Sequence, residues 1–262
     1  MGLRRTRMVS EGSNYEKSMK FAAAIVAYNE EELIGGCLDG LQDIFTMVSI
    51  SEPWEGKHIA FDKTREIALA KGAAVLSKNF KSEKEQRNDM MERLQSAGYD
   101  YIFIIDADEF YTREGIKSAM KFIEENPETL RFNVGPVIYF WKNENWELIP
   151  KFNNIIPACY RSDMRFTALR NISTPAMKIL PADIVMYHFS FAGKDDRILN
   201  KLEHFSHASE MDSEWFERVW KQWTPEMEDL HPSKNYGHRF KKAIPFECPT
   251  DIVQRFNNNH SE

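Results

Sequence analysis

The feature that most constrains this chain is a recurring unit: a short apolar run, a polar loop, then a stretch with helical spacing. FAAAIVA (21–27), residues 46–51, AAVL (73–76) and YIFII (101–105) are the apolar runs. LIGGCLDGLQ, DKTREIALAK (ended by Gly72), residues 83–97 and REGIKSAMKFIEEN are the helical stretches that follow them. Strands alternating with helices of this length predict an α/β fold with a mainly parallel central sheet and helices on both faces. Beyond Leu130 the pattern changes. RFNVGPVIYFW, IIPACYR, MRFTALR and DIVMYHFSF are strand-like pieces separated by Pro, Asn and Asp turns, and predict added antiparallel strands. From Asp195 the chain turns helical again, through DDRILNKLEHFSHASE and SEWFERVWKQW. The expected organisation is a loose arm at 1–20, a first half at 21–130, a second half of the same domain at 131–194 and a C-terminal helical segment at 195–262.

Composition narrows the class. With 262 residues, 42% hydrophobic and 13% aromatic, the chain has the material for one large core and lies outside the disordered class. Its apolar runs fall short of the ~18–20 residues of a membrane span, and the basic, polar first twenty residues lack the apolar centre of a secretory signal. Cys37, Cys159 and Cys248 are odd in number and far apart, which fits reduced thiols. The expectation is a soluble, cytoplasmic protein. A net charge of −6 argues against binding nucleic acid by bulk electrostatics, while leaving room for a local basic groove.

The fourth apolar run stops in three acids, Asp106, Asp108 and Glu109. In a parallel α/β sheet ligands sit beyond the carboxyl ends of the strands, so these side chains enter the crevice. Asp106 and Asp108, two apart in extended chain, share a face, and a hard divalent cation such as Mg²⁺ or Mn²⁺ would relieve their repulsion and bind a diphosphate. The bland alternative is a solvated acidic turn capping the next helix.

At this point the motifs carry a resemblance. AYNEEE after the first strand, DKTREIA after the second, QRN before the fourth and IDADE at its end are similar, in order and spacing, to the nucleotide-sugar-dependent glycosyltransferases of the GT-A fold, in particular family 2; the match covers residues 21–125. The resemblance implies a Rossmann-like half that binds a nucleoside diphosphate sugar and a metal at the Asp-x-Asp. Carried over by residue, Ala27, Tyr28 and Glu30 would lie against the nucleoside, Asp106 near ribose and metal, Asp108 on the metal, and Arg87 facing the diphosphate. The chain departs from the family pattern with Val26 in place of Pro, and with SISEPWEGKH after the second strand in place of an Asp-Asp-Gly-Ser stretch. Glu52 is the candidate for the missing base-contacting acid, with Trp54 as a stacking surface.

In the second half, YHFSFAGK resembles the late His and Lys of several GT-A enzymes, which makes His188 the expected third metal ligand and Lys194 the expected diphosphate contact. Family members often carry a His-Glu pair some twenty residues before that His; this chain reads RNISTP there. Asp163 is the nearest candidate for the base that deprotonates an acceptor hydroxyl, against the alternative of a surface turn. His204 and His207, three apart, read as one ordinary helix face, and the Trp residues of WFERVWKQW as a packing stripe.

The function expected is sugar transfer from a nucleoside diphosphate sugar to an acceptor that is a glycan, protein, small molecule or lipid, with nucleic acid disfavoured. Two other readings stay open. One is an Asp-nucleophile phosphatase-like hydrolase; the other is a sugar-nucleotide-binding protein without turnover.

Overall fold

The computed structural model describes residues 18–52, 62–150, 155–168, 170–172, 174–204, 210–233 and 240–258. Strands β1 (Phe21–Ala27), β2 (Phe45–Glu52), β3 (Ala74–Asn79) and β4 (Tyr101–Asp106) alternate with helices α1 (Ile34–Asp39), α2 (Thr64–Ala70) and α3 (Glu83–Ser96). These four strands are parallel and adjacent in the order β3-β2-β1-β4. Chain order therefore reverses between β1 and β4, and the loops leaving those two strands diverge to open a crevice.

Both faces of the sheet are covered, which is why the strands read as continuous apolar runs. Phe21, Ala23 and Ile25 of β1 and Tyr101, Phe103 and Ile105 of β4 face one core. Ala22, Ala24, Ile102 and Ile104 face the other, against Met90, Met91 and Leu94 of α3. Helix α4 (Arg113–Glu124) packs Ile116, Ala119 and Ile123 into the first core, and α6 (Thr250–Asn258) adds Ile252 and Phe256. Local signals set the helix starts: Ser82 caps α3 by accepting from the Glu85 N–H, and Thr112 caps α4 by accepting from Gly115.

The second half builds β5 (Glu109–Phe110), β6 (Arg131–Val134), β7 (Val137–Ile149), β8 (Ile156–Arg161), β9 (Met177–Ile179), β10 (Met186–Ala192) and β11 (Lys242–Pro245). β8, β6 and β9 extend the main sheet beyond β4, while β11-β7-β10-β5 form a second sheet of four strands. The expected antiparallel additions are present at β4–β8, β6–β8, β5–β10 and β7–β11, but β6–β9 and β7–β10 pair in parallel. Among the described residues of MRFTALR none belongs to a strand: Ala168 makes an isolated bridge to Asn171, and Phe166 packs over α3, its N–H donating to Asn88.

A third core joins Trp141 and Leu148 of β7 to Trp215, Trp220, Leu230, Phe240 and Ile198 of α5 (Asp195–His204). Trp215, Phe216, Val219 and Trp220 around the π-helical turn Phe216–Trp220 are its centre, so these tryptophans are core, as their spacing predicts. Through Ile198 this aromatic core fixes the position of α5.

Ile104→Ala, at a fully buried position of β4, is expected to lower unfolding free energy by about 2–5 kcal/mol in urea titrations, whereas Leu69→Ala on the exposed face of α2 should change it by less than about 0.5 kcal/mol.

Candidate functional site

Asp106 is the last residue of β4 and stands in register with Val26 of β1, which places the acids of IDADE at the switch point. Across the crevice the loop after β1 is tied down by the start of α2. The Glu30 N–H donates to Thr64 Oγ1 (2.9 Å), the Glu31 N–H to Asp62 (2.8 Å) and the Lys63 N–H to Glu31 (2.9 Å). The DKT segment thus holds the AYNEEE loop, which explains in packing terms why both motifs occur together. Ala27 is buried at the end of β1 and Tyr28 is half-buried beside it, with burial raising its phenol pKa.

Each acid meets cationic side chains from distant parts of the chain. The Arg87 guanidinium donates to Asp106 Oδ1 at 2.6 Å and is shared with Glu83. Arg170 reaches Glu109 Oε1 at 2.5 Å and Asp106 Oδ2 at 3.4 Å, and its Nε donates to the Pro157 carbonyl. Arg197 forks onto Glu30, with Nε at 2.9 Å and Nη2 at 3.1 Å, while Nη1 donates to the carbonyls of Phe189 and Ala192. Asp108 Oδ2 accepts from Arg197 Nη2 at 3.5 Å and from Lys201 Nζ. His188 Nε2 lies 3.4 Å from Asp108 Oδ1, and its ring packs at a 39° tilt against Tyr139 with centroids 4.9 Å apart.

Burial makes these pairs necessary. Asp108 is 4% exposed, Glu109 1%, Arg87 2% and Arg197 5%. An unpaired charge at such depth is untenable, and removing one partner of a buried pair costs ~3–5 kcal/mol. Burial pushes the Asp108 carboxyl up, but Lys201, His188 and Arg197 outweigh it and hold the group well below the usual range. For Asp106 the same opposition leaves the carboxyl lowered, through Arg87 and Arg170. Glu109 and Glu30 go the other way, because burial prevails over Arg170 in one and Arg197 in the other.

Several expectations need correction. Asp106, expected as a metal ligand beside Asp108 and His188, is turned to Arg87 and Arg170. Among the described residues no group of three or more His, Cys, Asp or Glu side chains is arranged to hold a metal ion. What remains is a two-donor edge of Asp108 Oδ1 and His188 Nε2, whose 3.4 Å separation is near the ~3 Å between adjacent ligands of a small divalent ion at ~2.1 Å. Such ions are commonly held by one or two protein groups together with substrate phosphates, so this pair fits an ion that arrives with a diphosphate. Arg87, expected to face a diphosphate, is instead committed to Asp106 and Glu83.

Lys194 is exposed and donates only its backbone N–H, to Glu32 (2.9 Å); the cations that reach Asp108 are Arg197 and Lys201, further along α5. Gly193 before it has φ +118°, and a Cβ there would stand 2.9 Å from Glu32, so this corner needs glycine. Asp163 lies at the wrong end of the sheet: it forks onto Arg161, which pairs with Tyr101 at the start of β4. With Met19, Asp100, Tyr101 and Ser162 it lines a cavity of about 400 Å³ there, remote from Asp106 and Asp108. Glu52 ends β2, but its side chain, like Trp54 and His207, lies outside the described residues.

Arg170, Arg197 and Lys201 were not singled out in the sequence. Arg197 and Lys201 stand one helical turn apart directly after the His188 strand, a spacing that puts both on one face and was a readable signal. Arg170 opens RNISTP, where the family resembled carries an acid, and nothing local announces its partners.

No protein-family model and no curated protein matches the sequence. Solved structures do resemble the fold. The complex of S. aureus TarS 1-349 with UDP-GlcNAc is 15% identical with a TM-score of 0.46, covering 67% of this chain and 59% of that one. Mannosyltransferase PcManGT from Pyrobaculum calidifontis, in complex with GDP-Man and Mn²⁺, is 13% identical with a TM-score of 0.45 over 72% of this chain and 62% of that one. A 4-diphosphocytidyl-2C-methyl-D-erythritol synthase from Anaerococcus prevotii is 11% identical with a TM-score of 0.40, over 69% and 96%. This chain therefore spans less than two thirds of the length of the first two. The likenesses are distant ones of fold, and none carries a residue role across.

The depressed Asp108 carboxyl sets an acid limit. Its contribution is present above the unfolded-state value near 3.9 and is lost as pH falls toward the lower folded value. Stability measured by urea titration from pH 6 to about pH 2 should therefore fall on the acid side, and Asp108→Asn should flatten that limb while lowering stability at neutral pH. An unchanged acid limb in the variant would contradict the pairing.

Proposed function

We propose that this chain transfers a sugar from a nucleoside diphosphate sugar to an acceptor, using the crevice between the loops after β1 and β4. The observation that carries the proposal is the placement of Asp106 and Asp108 at the exit of β4 on the switch point, linked through Arg197 to Glu30 on the facing loop. An ordinary helix-capping turn has no reason to bury Asp108 or to recruit Arg197 and Lys201 onto it.

The charge balance supports a donor that arrives with a metal ion. Glu30, Glu83, Asp106, Asp108 and Glu109 face Arg87, Arg170, Arg197 and Lys201, five acids against four bases, and each base is already paired. A diphosphate entering alone would add negative charge to a set whose four bases are already committed. Asp108 and His188 are the residues that would hold Mn²⁺ or Mg²⁺, whose charge offsets the leaving diphosphate as the glycosidic bond breaks. Asp106, held by two guanidiniums, would accept from a ribose hydroxyl. Ala27, Tyr28 and Glu30 form the wall against which the nucleoside would lie. Arg197 links Glu30 of that wall to Asp108 at the acid end.

The acceptor side is less specified. Glu30, Asp106, Asp108 and Glu109 are all held by cations, so the group that takes a proton from an acceptor hydroxyl is not one of these four in this arrangement. Transfer assays with glycan, protein, small-molecule, lipid and nucleic-acid acceptors distinguish the acceptor class, and the anomeric configuration of the product distinguishes inversion from retention. Among the described residues no helix is long and apolar enough to cross a membrane. An Asp-nucleophile hydrolase would need a carboxylate open to phosphorus, and the paired, buried state of Asp108 does not favour it. A binding protein without turnover would keep the nucleotide result below and lose the transfer.

A thermal-shift panel of UDP, GDP, CDP and ADP and their sugars, with and without MnCl₂, tests the reading. One base with Mn²⁺ is expected to stabilise the chain, by about 2.7 kcal/mol at a hundredfold excess over Kd. Asp108→Ala is expected to abolish that shift and to cut transfer at least ~10²-fold. No shift with any nucleotide, or full transfer by Asp108→Ala, would refute the proposal.

A further inference from the structure

Asp108 carries one partner unlike the others. Arg197 is fixed at every nitrogen: Nε and Nη2 on Glu30, Nη1 on two backbone carbonyls, and Nη2 also towards Asp108. Lys201 makes its ion pair with Asp108 Oδ2 through a single ammonium, and its side chain is 21% exposed. A compact, partly exposed ammonium on a four-carbon stem can be exchanged more readily than a buried guanidinium held on five acceptor atoms.

We infer that Lys201 is an internal counter-cation on Asp108 Oδ2, beside the Oδ1 on which a divalent ion would draw, and that the diphosphate of the donor takes it over when ion and nucleotide enter together. The inference rests on the nucleoside diphosphate reading above and adds to it the order of events. The exchange balances in charge. Lys201 stays protonated, leaves Asp108 and pairs with a phosphate oxygen; Asp108 passes from the ammonium to the ion. Neither ion nor diphosphate alone completes this trade: the ion alone strands the ammonium beside it, and the diphosphate alone faces a set with more acids than bases. The device makes the chain select the ion and diphosphate as a unit.

The helix supplies the geometry. Arg197 and Lys201 are one turn apart on α5, and Ile198 between them is packed into the tryptophan core, so the exchange asks only the Lys201 side chain to move and not the backbone beneath it.

Isothermal titration with MnCl₂ alone, and then with preformed Mn-pyrophosphate, tests the exchange without knowledge of the base or the sugar. The wild-type chain is expected to bind Mn²⁺ alone weakly and Mn-pyrophosphate at least about tenfold more tightly. Lys201→Met and Lys201→Gln should bind Mn²⁺ alone about tenfold more tightly than wild type and lose most of the gain from pyrophosphate. Lys201→Arg, which keeps a cation on Asp108, should stay close to wild type for Mn²⁺ alone. Equal Mn²⁺ affinity in wild type and in either neutral variant, with melting temperatures showing the variants folded, would overturn the inference while leaving the nucleotide reading intact. Undiminished Mn-pyrophosphate affinity in the neutral variants would overturn the hand-over to phosphate. Absence of binding to Mn²⁺ and to Mn-pyrophosphate in all four proteins would remove the nucleoside diphosphate reading and this inference with it.

Discussion

The burial of Asp108 beside Arg197 is the constraint on which the rest of the site depends. A carboxylate 4% exposed at the end of a central strand survives only where cations meet it, because the desolvation penalty for an unpaired ion amounts to several kcal/mol. Arg197 meets it from α5 and in the same gesture binds Glu30 on the loop after β1. One guanidinium therefore closes the crevice floor between two strands whose exits diverge. Burial and attraction oppose each other at every acid here, and the outcome differs: attraction prevails at Asp106 and Asp108, burial at Glu30 and Glu109.

The remainder of the fold serves that junction. The two cores on either face of the main sheet fix β1 and β4 in parallel register, which sets the Val26 to Asp106 alignment and so the mouth of the crevice. The second sheet brings β10 against β5, pairing His188 with Glu109 and carrying the imidazole to Asp108. His188 Nδ1 is buried and finds no hydrogen-bond partner among the described residues, so the tilted packing against Tyr139 has the larger part in orienting the ring. The tryptophan core then anchors α5, and with it Arg197 and Lys201. The tryptophans, read in sequence as a packing stripe, thus act on the site at a distance, by holding a helix in place.

Much of this was legible beforehand, and what was not has a physical reason. The alternation of apolar runs with helical stretches announced the parallel sheet, since period and length are local properties of the chain. The Asp-x-Asp at the end of β4 was readable because strand ends and charge breaks are local too. Partners were not. Asp106 and Arg87 are 19 residues apart, but Arg170 lies 64 from Asp106, Lys201 lies 93 from Asp108, and Arg197 lies 167 from Glu30. Contacts over such spans depend on how β5, β10 and α5 pack, and no period or motif encodes that. Lys194 illustrates the error that follows. It stands at the expected offset after the late His, yet α5 starts there and turns the useful cations to positions one and two turns further on. Asp163 fails for a similar reason, since the antiparallel pairing of β8 with β4 carries the residues after Arg161 back to the opposite end of the sheet.

The most direct test of the central claim is an anomalous difference map at the manganese edge from crystals grown with MnCl₂ and a nucleoside diphosphate. The account predicts a peak between Asp108 Oδ1 and His188 Nε2, diphosphate oxygens completing its coordination, and the Lys201 ammonium moved from Asp108 to the diphosphate. A nucleotide bound away from the β1 and β4 loops, or an ion bound elsewhere while Lys201 stays on Asp108, would contradict it.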